Sequence, residues 1–196
     1  MKKKKSKQSV QQVQPISKYN YELFRKVVLL LRSIKHDIRV KIIDLLQEHG
    51  EQTVTDLYIR LRIEQSVCSQ HLAILRRAGI VKSRRNGKFI YYSININVLR
   101  IITNYQSRTS KARALAHKVR IQILEYIESQ GNTNVSSIYS TLKLEQSIVS
   151  THLNILKKAD LVDTIRDSRF IIYKVTNVNN VIAGFNAFIE SYNGNV

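Results

Sequence analysis

The chain of 196 residues has a single cysteine, a single proline, six glycines and only 14 acidic residues. One cysteine can form neither an internal disulfide nor a cysteine-rich metal cage, which fits a reducing, cytoplasmic setting. Six glycines leave little material for a phosphate-cradling loop, and no nucleophile–base pair or zinc-protease motif accompanies them, so an enzyme is not expected. The longest unbroken apolar run, Val27 to Leu31, is far too short to span a bilayer. The initial lysine run is not followed by the apolar segment of a secretory signal, so the expectation is a soluble chain without a membrane span. Against so few acids stand 32 Lys and Arg, a net charge of +18, which points to a polyanionic partner: nucleic acid or an acidic membrane face.

The charge is unevenly spread. Residues 1–33 hold nine Lys and Arg against one acid, residues 34–95 eleven against six, and residues 96–114 four against none. Residues 115–176 hold eight against six, so the second half is close to neutral. Residues 1–18 are Lys- and Gln-rich, aperiodic, and contain the proline. They read as a disordered basic arm, serving either solubility or loose phosphate contact.

The chain repeats itself. EQSVCSQHLAILRRAGIV, Glu64 to Val81, recurs 81 positions later without a gap as EQSIVSTHLNILKKADLV, Glu145 to Val162, identical at ten of 18 positions. A unit that recurs in this way is one supersecondary block used twice. On a helix, Cys68, Leu72 and Leu75 form an apolar stripe with Val67, His71 and Ile74 beside it. The opposite face carries Gln65, Ser66, Ser69, Gln70, Ala73, Arg76 and Arg77. Amides and hydroxyls suit base edges, and guanidinium groups suit phosphate or guanine. An ordinary solvated face is the plain alternative. That the Gln-Ser pair, a serine and a basic pair recur while their neighbours drift favours a functional face.

Around this block the periodicity predicts helices over Tyr21 to Ile34 and from Ile34 to near Gly50. A short helix follows, capped by Thr53 with Asp56 three residues on, and the turn Arg62 to Glu64 leads into the repeated block. After Gly79 the period changes to two. Ile80 to Arg84, Asn86-Gly87 and Lys88 to Ile94 read as a β-hairpin with Arg84, Arg85 and Lys88 at its tip. The second copy follows the same order, pairing His36 with His117, Arg39 with Arg120 and Tyr92 with Tyr173. In its hairpin Asp167-Ser168 replaces Asn-Gly, and Asp163 and Asp167 offset Arg166 and Arg169. Val98 to Tyr105 sketch a helix between the copies, the basic stretch Arg108 to Arg113 leads onward, and Val178 to Tyr192 form a closing apolar stripe. The expected domains are the arm, 1–18, and two units, 19–106 and 107–196. The fold class is mainly α with small β-hairpin wings: tandem winged helix-turn-helix domains arranged as an intrachain pseudo-dimer.

ALAHKVRIQIL (Ala114 to Leu124), the two QS-starting blocks and RRNGKFIYYSI (Arg84 to Ile94) together resemble the ArsR/SmtB family of bacterial winged-helix transcriptional repressors, over about two thirds of the chain. The resemblance implies a cytoplasmic, DNA-associated protein of bacterial type. Its repeated helix enters the major groove of double-stranded DNA, its wing touches flanking phosphates, and its first and last helices build a dimer interface. Gln65, Ser66, Ser69, Gln70 and Arg76 match the family's DNA-contacting positions, as do Gln146, Ser147, Ser150, Thr151 and Lys157. In the second copy Ala73 becomes Asn154, and Arg76 and Arg77 become Lys157 and Lys158, so an asymmetric operator is expected. His71 and His152 match a His-Leu pair whose histidine either packs between helices or contacts phosphate.

Where metal-sensing relatives carry Cys-x-Cys, this chain has Thr53 and Thr55, then Asn134 and Ser136. Its closing helices lack histidine, so no metal or other cofactor is expected and any effector is left open. Cys68 takes the place of Val149, which favours a small core residue over a redox sensor. Two rivals remain: a nonspecific nucleoid-type binder and a winged-helix protein-interaction scaffold. The binding unit is either one chain acting as a pseudo-dimer or a homodimer.

Overall fold

The computed structural model describes residues 18–196. Helix α1 (Tyr21–Ser33) starts where the Asn20 side chain accepts the Leu23 amide, and it buries Phe24, Val27, Val28, Leu30 and Leu31. Helix α2 (Asp37–His49) follows after a three-residue break. The periodicity had run the second helix from Ile34; instead Ile34 closes α1, and His36, in extended conformation, caps α2 by accepting the Ile38 amide on Nδ1 at 3.3 Å. The guanidinium of Arg39 reaches back to donate to the carbonyls of Ser33 and Arg32, satisfying the open end of α1.

Strand β1 (Gln52–Thr53) is two residues long, too short to leave a periodic signal, and exists by pairing with a later strand. Thr53 also begins α3 (Val54–Leu61) through a full capping box with Asp56. Arg62 adopts a left-handed conformation, φ 53°, and turns the chain into α4 (Gln65–Arg77). Strands β2 (Val81–Asn86) and β3 (Phe89–Ile94) form the wing, and the sheet order is β1-β3-β2. Asn86 pairs with Phe89, so the two loop residues are Gly87 and Lys88, one step beyond the expected Asn-Gly. Gly87, at φ 59°, supplies the positive φ at the first loop position. Tyr92 and Ile94 pack on the core, whereas Ile90 on the same face is exposed because the hairpin extends past the body.

Helix α5 (Ile96–Asn104), a 3-10 turn (Gln106–Arg108) and α6 (Thr109–Leu115) join the two copies. The basic stretch read as a lead-in is therefore largely helical, and at the 81-residue offset α6 corresponds to the last turns of α1. The second copy then repeats the first: α7 (Lys118–Gln130), β4 (Thr133–Asn134), α8 (Val135–Leu142), α9 (Gln146–Lys158), β5 (Val162–Asp167), β6 (Phe170–Val175) and α10 (Val178–Asn193). Its sheet order, β4-β6-β5, matches, as does the left-handed Lys143 before the repeated helix.

The two copies share one core. Helix α1 packs on α6 and α10, and α10 packs on α5. Phe24 meets Phe185 edge-on at 6.2 Å between ring centroids, and Tyr105 meets Phe188 at 4.8 Å. Phe24, Phe185 and Phe188 are fully buried, each contributing about 1.5–3 kcal/mol of transfer free energy. A polar tie crosses the same seam, Asn95 donating to the Asn195 carbonyl at 2.9 Å, and beside it Gln106 donates to the Leu31 carbonyl at 2.7 Å. The tandem is thus an intrachain pseudo-dimer built on α1, α5, α6 and α10. Of the arm expected over residues 1–18, only Lys18 lies among the described residues, and it ion-pairs with Glu128 of the second copy.

Candidate nucleic-acid interface

Helix α4 buries Cys68, Leu72 and Leu75, the stripe its spacing predicts, and α9 buries Val149, Leu153 and Leu156. This anchoring leaves Gln65, Ser66, Ser69, Gln70, Arg76 and Arg77 exposed on one helix. On the other it leaves Gln146, Ser147, Ser150, Thr151, Asn154, Lys157 and Lys158 exposed. Neither helix has a side-chain cap at its N-terminus, so first-turn amides stay open beside the amide and hydroxyl groups. The basic pairs occupy the last turn of each helix, where the macrodipole also favours cations. Ile74, expected beside the buried stripe, is partly exposed, as is Ile155 at the same place in the second copy.

The two exposed faces differ in how free their groups are. Thr151 donates its hydroxyl back to the Ser147 carbonyl at 2.9 Å, and Lys157 reaches across to Thr164 Oγ1 of the wing at 2.6 Å. In the first copy the corresponding Gln70 and Arg76 are exposed. The wings differ too. Arg85 braces its own loop by donating to the Gly87 carbonyl at 3.1 Å, and Lys88 sits 5.3 Å from the Phe89 ring centroid. Arg84 is bound by Glu51 at 2.6 Å and lies over Tyr91. The hydrogen bond to Glu51, then its charge, hold the Arg84 guanidinium above its ordinary value. Sequence reasoning treated Arg84 as an open cation and missed Glu51, whose proximity only the β1–β3 pairing reveals. In the second wing Arg166 and Arg169 are exposed, and Asp163 accepts the Thr164 amide at 2.7 Å.

Behind each reading helix lies a histidine pair that the scattered histidine positions concealed. His36 meets His71 at 4.4 Å between ring centroids, and His117 meets His152 at 4.7 Å. The clue in the sequence was the equal spacing: both pairs are separated by 35 residues. The pairs join the start of α2 or α7 to the repeated helix, so His71 and His152 each make a packing contact. Burial lowers the basicity of His71, His117 and His152, with nearby Arg39 or Arg120 adding to the effect. Two imidazoles alone do not make a metal cage, and no group of three or more potential ligands occurs among the described residues. Cys68 is fully buried and burial pushes its thiol up to about 11, the behaviour of a core residue rather than a reactive thiolate. No helix of the described residues is long and apolar enough to cross a membrane.

Both copies are similar in sequence to known proteins. Residues 36–83 and 117–164 each match the family described as bacterial regulatory protein, arsR family. The transcriptional repressor SdpR of Bacillus subtilis is 37% identical over 76 residues, covering 39% of this chain and 83% of that protein. The transcriptional activator HlyU of Vibrio cholerae is 37% identical over 70 residues, 36% of this chain and 64% of its own length, just under two thirds. Among solved structures, the transcriptional repressor PagR of Bacillus anthracis is 36% identical, covering 43% of this chain and 98% of its own, with a TM-score of 0.37. In both copies the match runs over the same elements, from α2 to the start of β2 in the first and from α7 to the start of β5 in the second. The chain belongs to the arsR family of bacterial regulatory proteins, the winged-helix DNA-binding transcriptional regulators, and carries two family units in tandem.

Proposed function

We propose that the protein is a sequence-specific, cytoplasmic repressor that reads double-stranded DNA with two non-identical helices supplied by one chain. The units 19–106 and 107–196 each contribute one reader and one wing. Gln65, Ser66, Ser69 and Gln70 address base edges together with Gln146, Ser147, Ser150, Thr151 and Asn154. Arg76, Arg77, Arg85, Lys88, Lys157, Lys158, Arg166 and Arg169 address phosphates or guanine, and Arg84 joins them when it leaves Glu51. One observation carries this reading: the shared core of α1, α5, α6 and α10 places two exposed amide-and-hydroxyl helices in a single chain. A two-fold dimer of single-unit relatives reads a palindrome. Here the two faces differ, so the operator is asymmetric, with half-sites about one helical turn, roughly 34–36 Å, apart.

The test is selection of bound duplexes from a random library, with the solution mass of the protein–DNA complex measured alongside. A two-part asymmetric site bound by one chain supports the proposal. A four-part site bound by two chains would assign the function to a homodimer. A specificity ratio near one over random DNA would favour a nucleoid-type binder, and DNA binding with no salt response a protein-interaction scaffold.

A further inference from the structure

A cavity of about 560 Å³ opens between α1, α2, the end of α4 and α10. Its floor is apolar: Leu29, Ile74, Ala78 and Tyr192 line it. Leu29 is 65% exposed and Ile74 36%, so both side chains keep accessible apolar surface in the described chain. Around the floor stand Lys26, Arg32, Arg39 and Arg77, with no acid in the lining. None of the four forms an ion pair among the described residues. Lys26 is held over the Tyr192 ring, 5.4 Å from its centroid, with its ammonium donating to Asn193 at 3.1 Å. Arg39 is fixed by its bonds to the end of α1. Two cations are therefore prepositioned, and Arg32 and Arg77 flank them.

An apolar floor ringed by four unneutralised cations selects for a small molecule with an apolar body and one anionic head. The volume falls within the range of ordinary small-molecule sites. Water fills such a space poorly against Leu29 and Ile74, and inorganic phosphate would leave the floor bare. The second unit does not repeat the site. At the 81-residue offset, Lys26, Leu29 and Leu30 become Ser107, Ser110 and Lys111, so the second unit lacks the α1 part of the floor, although Ile155 and Ala159 stand where Ile74 and Ala78 do. We propose that this cavity binds an amphiphilic carboxylate, acyl or aryl, at one site per chain, its tail on Leu29, Ile74 and Tyr192 and its carboxylate on Arg32 and Arg77. Arg77 and Ile74 belong to the first reading helix, so the ligand neutralises a cation that the proposed DNA contact also uses. That coupling, unlike the binding itself, rests on the proposed function.

The test measures binding to the full-length protein without DNA, by calorimetry, using octanoate, 1-octanol and acetate as probes. The expected result is one octanoate per chain, held at least about tenfold more tightly than either the alcohol or acetate, because only octanoate engages both floor and cations. Leu29→Glu, at an exposed position, should keep the circular dichroism spectrum of the wild type and abolish this binding. Arg32→Gln should weaken octanoate while leaving 1-octanol unchanged. Equal affinity for the three probes, several octanoates per chain, or undiminished binding to Leu29→Glu would overturn the proposal. So would a chain dimer that Leu29→Glu splits, which would assign the cavity to a second copy. Absent octanoate binding with a flatter salt slope for duplex DNA in Arg32→Gln would make the cavity a phosphate-facing surface and equally overturn it. If octanoate binds but no sequence-specific site is found, the ligand site stands and the proposed function falls.

Discussion

The imidazole of His71 lies against that of His36, ring centroids 4.4 Å apart, in the seam between the start of α2 and the first reading helix. His117 and His152 repeat the contact in the second unit. The buried Nδ1 atoms of His71, His117 and His152 have no hydrogen-bond partner among the described residues. Protonation would put a second donor or a charge where no acceptor waits, beside another imidazole and the Arg39 or Arg120 guanidinium. Burial first, then these neighbours, lowers the basicity of the three rings. The folded state therefore binds fewer protons than the unfolded chain once pH drops below about 6.5. Stability present at pH 7.5 is lost on acidification through that value towards the lowered folded pKa values. Thermal melts at pH 7.5 and 5.0 should show the decline. A His71→Phe, His152→Phe double variant should flatten it, and a wild-type melting temperature insensitive to this window would contradict the argument.

Arg120 donates from Nε to the Ala114 carbonyl at 2.6 Å and from its terminal nitrogen to the Arg113 carbonyl at 2.7 Å, as Arg39 does one unit earlier. A planar fork closing two helix-end carbonyls cannot be copied by an ammonium. Arg120→Lys should cost roughly 1–3 kcal/mol, read as a lower urea midpoint at unchanged m-value. A midpoint equal to wild type would show that water serves these carbonyls as well.

The elements that could be read from the sequence were those with a long period or a strong local signal. The buried stripe Cys68, Leu72 and Leu75 and the Thr53–Asp56 cap are local patterns, and the structure has both. What escaped was non-local. Strand β1 exists only through its pairing with β3, and that pairing brings Glu51 to Arg84. The histidine pairs join residues 35 apart, and the cavity beside Leu29 needs α10 folded back from the other end of the chain. The exposed reading faces were visible as a pattern, but the internal bonds of Thr151 and Lys157 that distinguish one face from the other were not.

Ser168 occupies the left-handed loop position, φ 51°, that Gly87 fills in the first wing. A residue with a Cβ is strained there, by about 1–2 kcal/mol, and the entropy of an added glycine returns part of any gain. Ser168→Gly should stabilise the protein by about 0.5–1 kcal/mol, and Gly87→Ser should destabilise it by a similar amount. Chemical denaturation of the two variants provides the check. Shifts of the same sign in both would refute the assignment.

Phe188 is fully buried on α10 and packs on Tyr105, beyond the end of α5, so the stability of each unit draws on the other. Truncating it to alanine should cost about 3–5 kcal/mol. If the shared core makes the units one cooperative body, the variant should still melt in a single calorimetric transition at lower temperature. Two separated transitions would show that the units fold independently.

On the proposed function, Glu51 decides what the first wing offers to DNA. Its carboxylate holds Arg84 at 2.6 Å, so a phosphate must compete for a guanidinium already matched, whereas Arg85 and Lys88 have no acidic partner among the described residues. Each phosphate contact contributes about 0.9 to the slope of log affinity against log salt. Alanine at Arg85 or Lys88 should flatten the slope by about that amount, and alanine at Arg84 should flatten it less. Glu51→Gln releases Arg84 without touching the reading helix, so it should strengthen binding at low salt and steepen the slope by up to about 0.9. Fluorescence anisotropy on a fixed duplex across a salt series measures all four variants together. A slope unchanged by Glu51→Gln would place Arg84 outside the DNA contact, and slopes unchanged by the Arg85 and Lys88 variants would remove the wing from the interface.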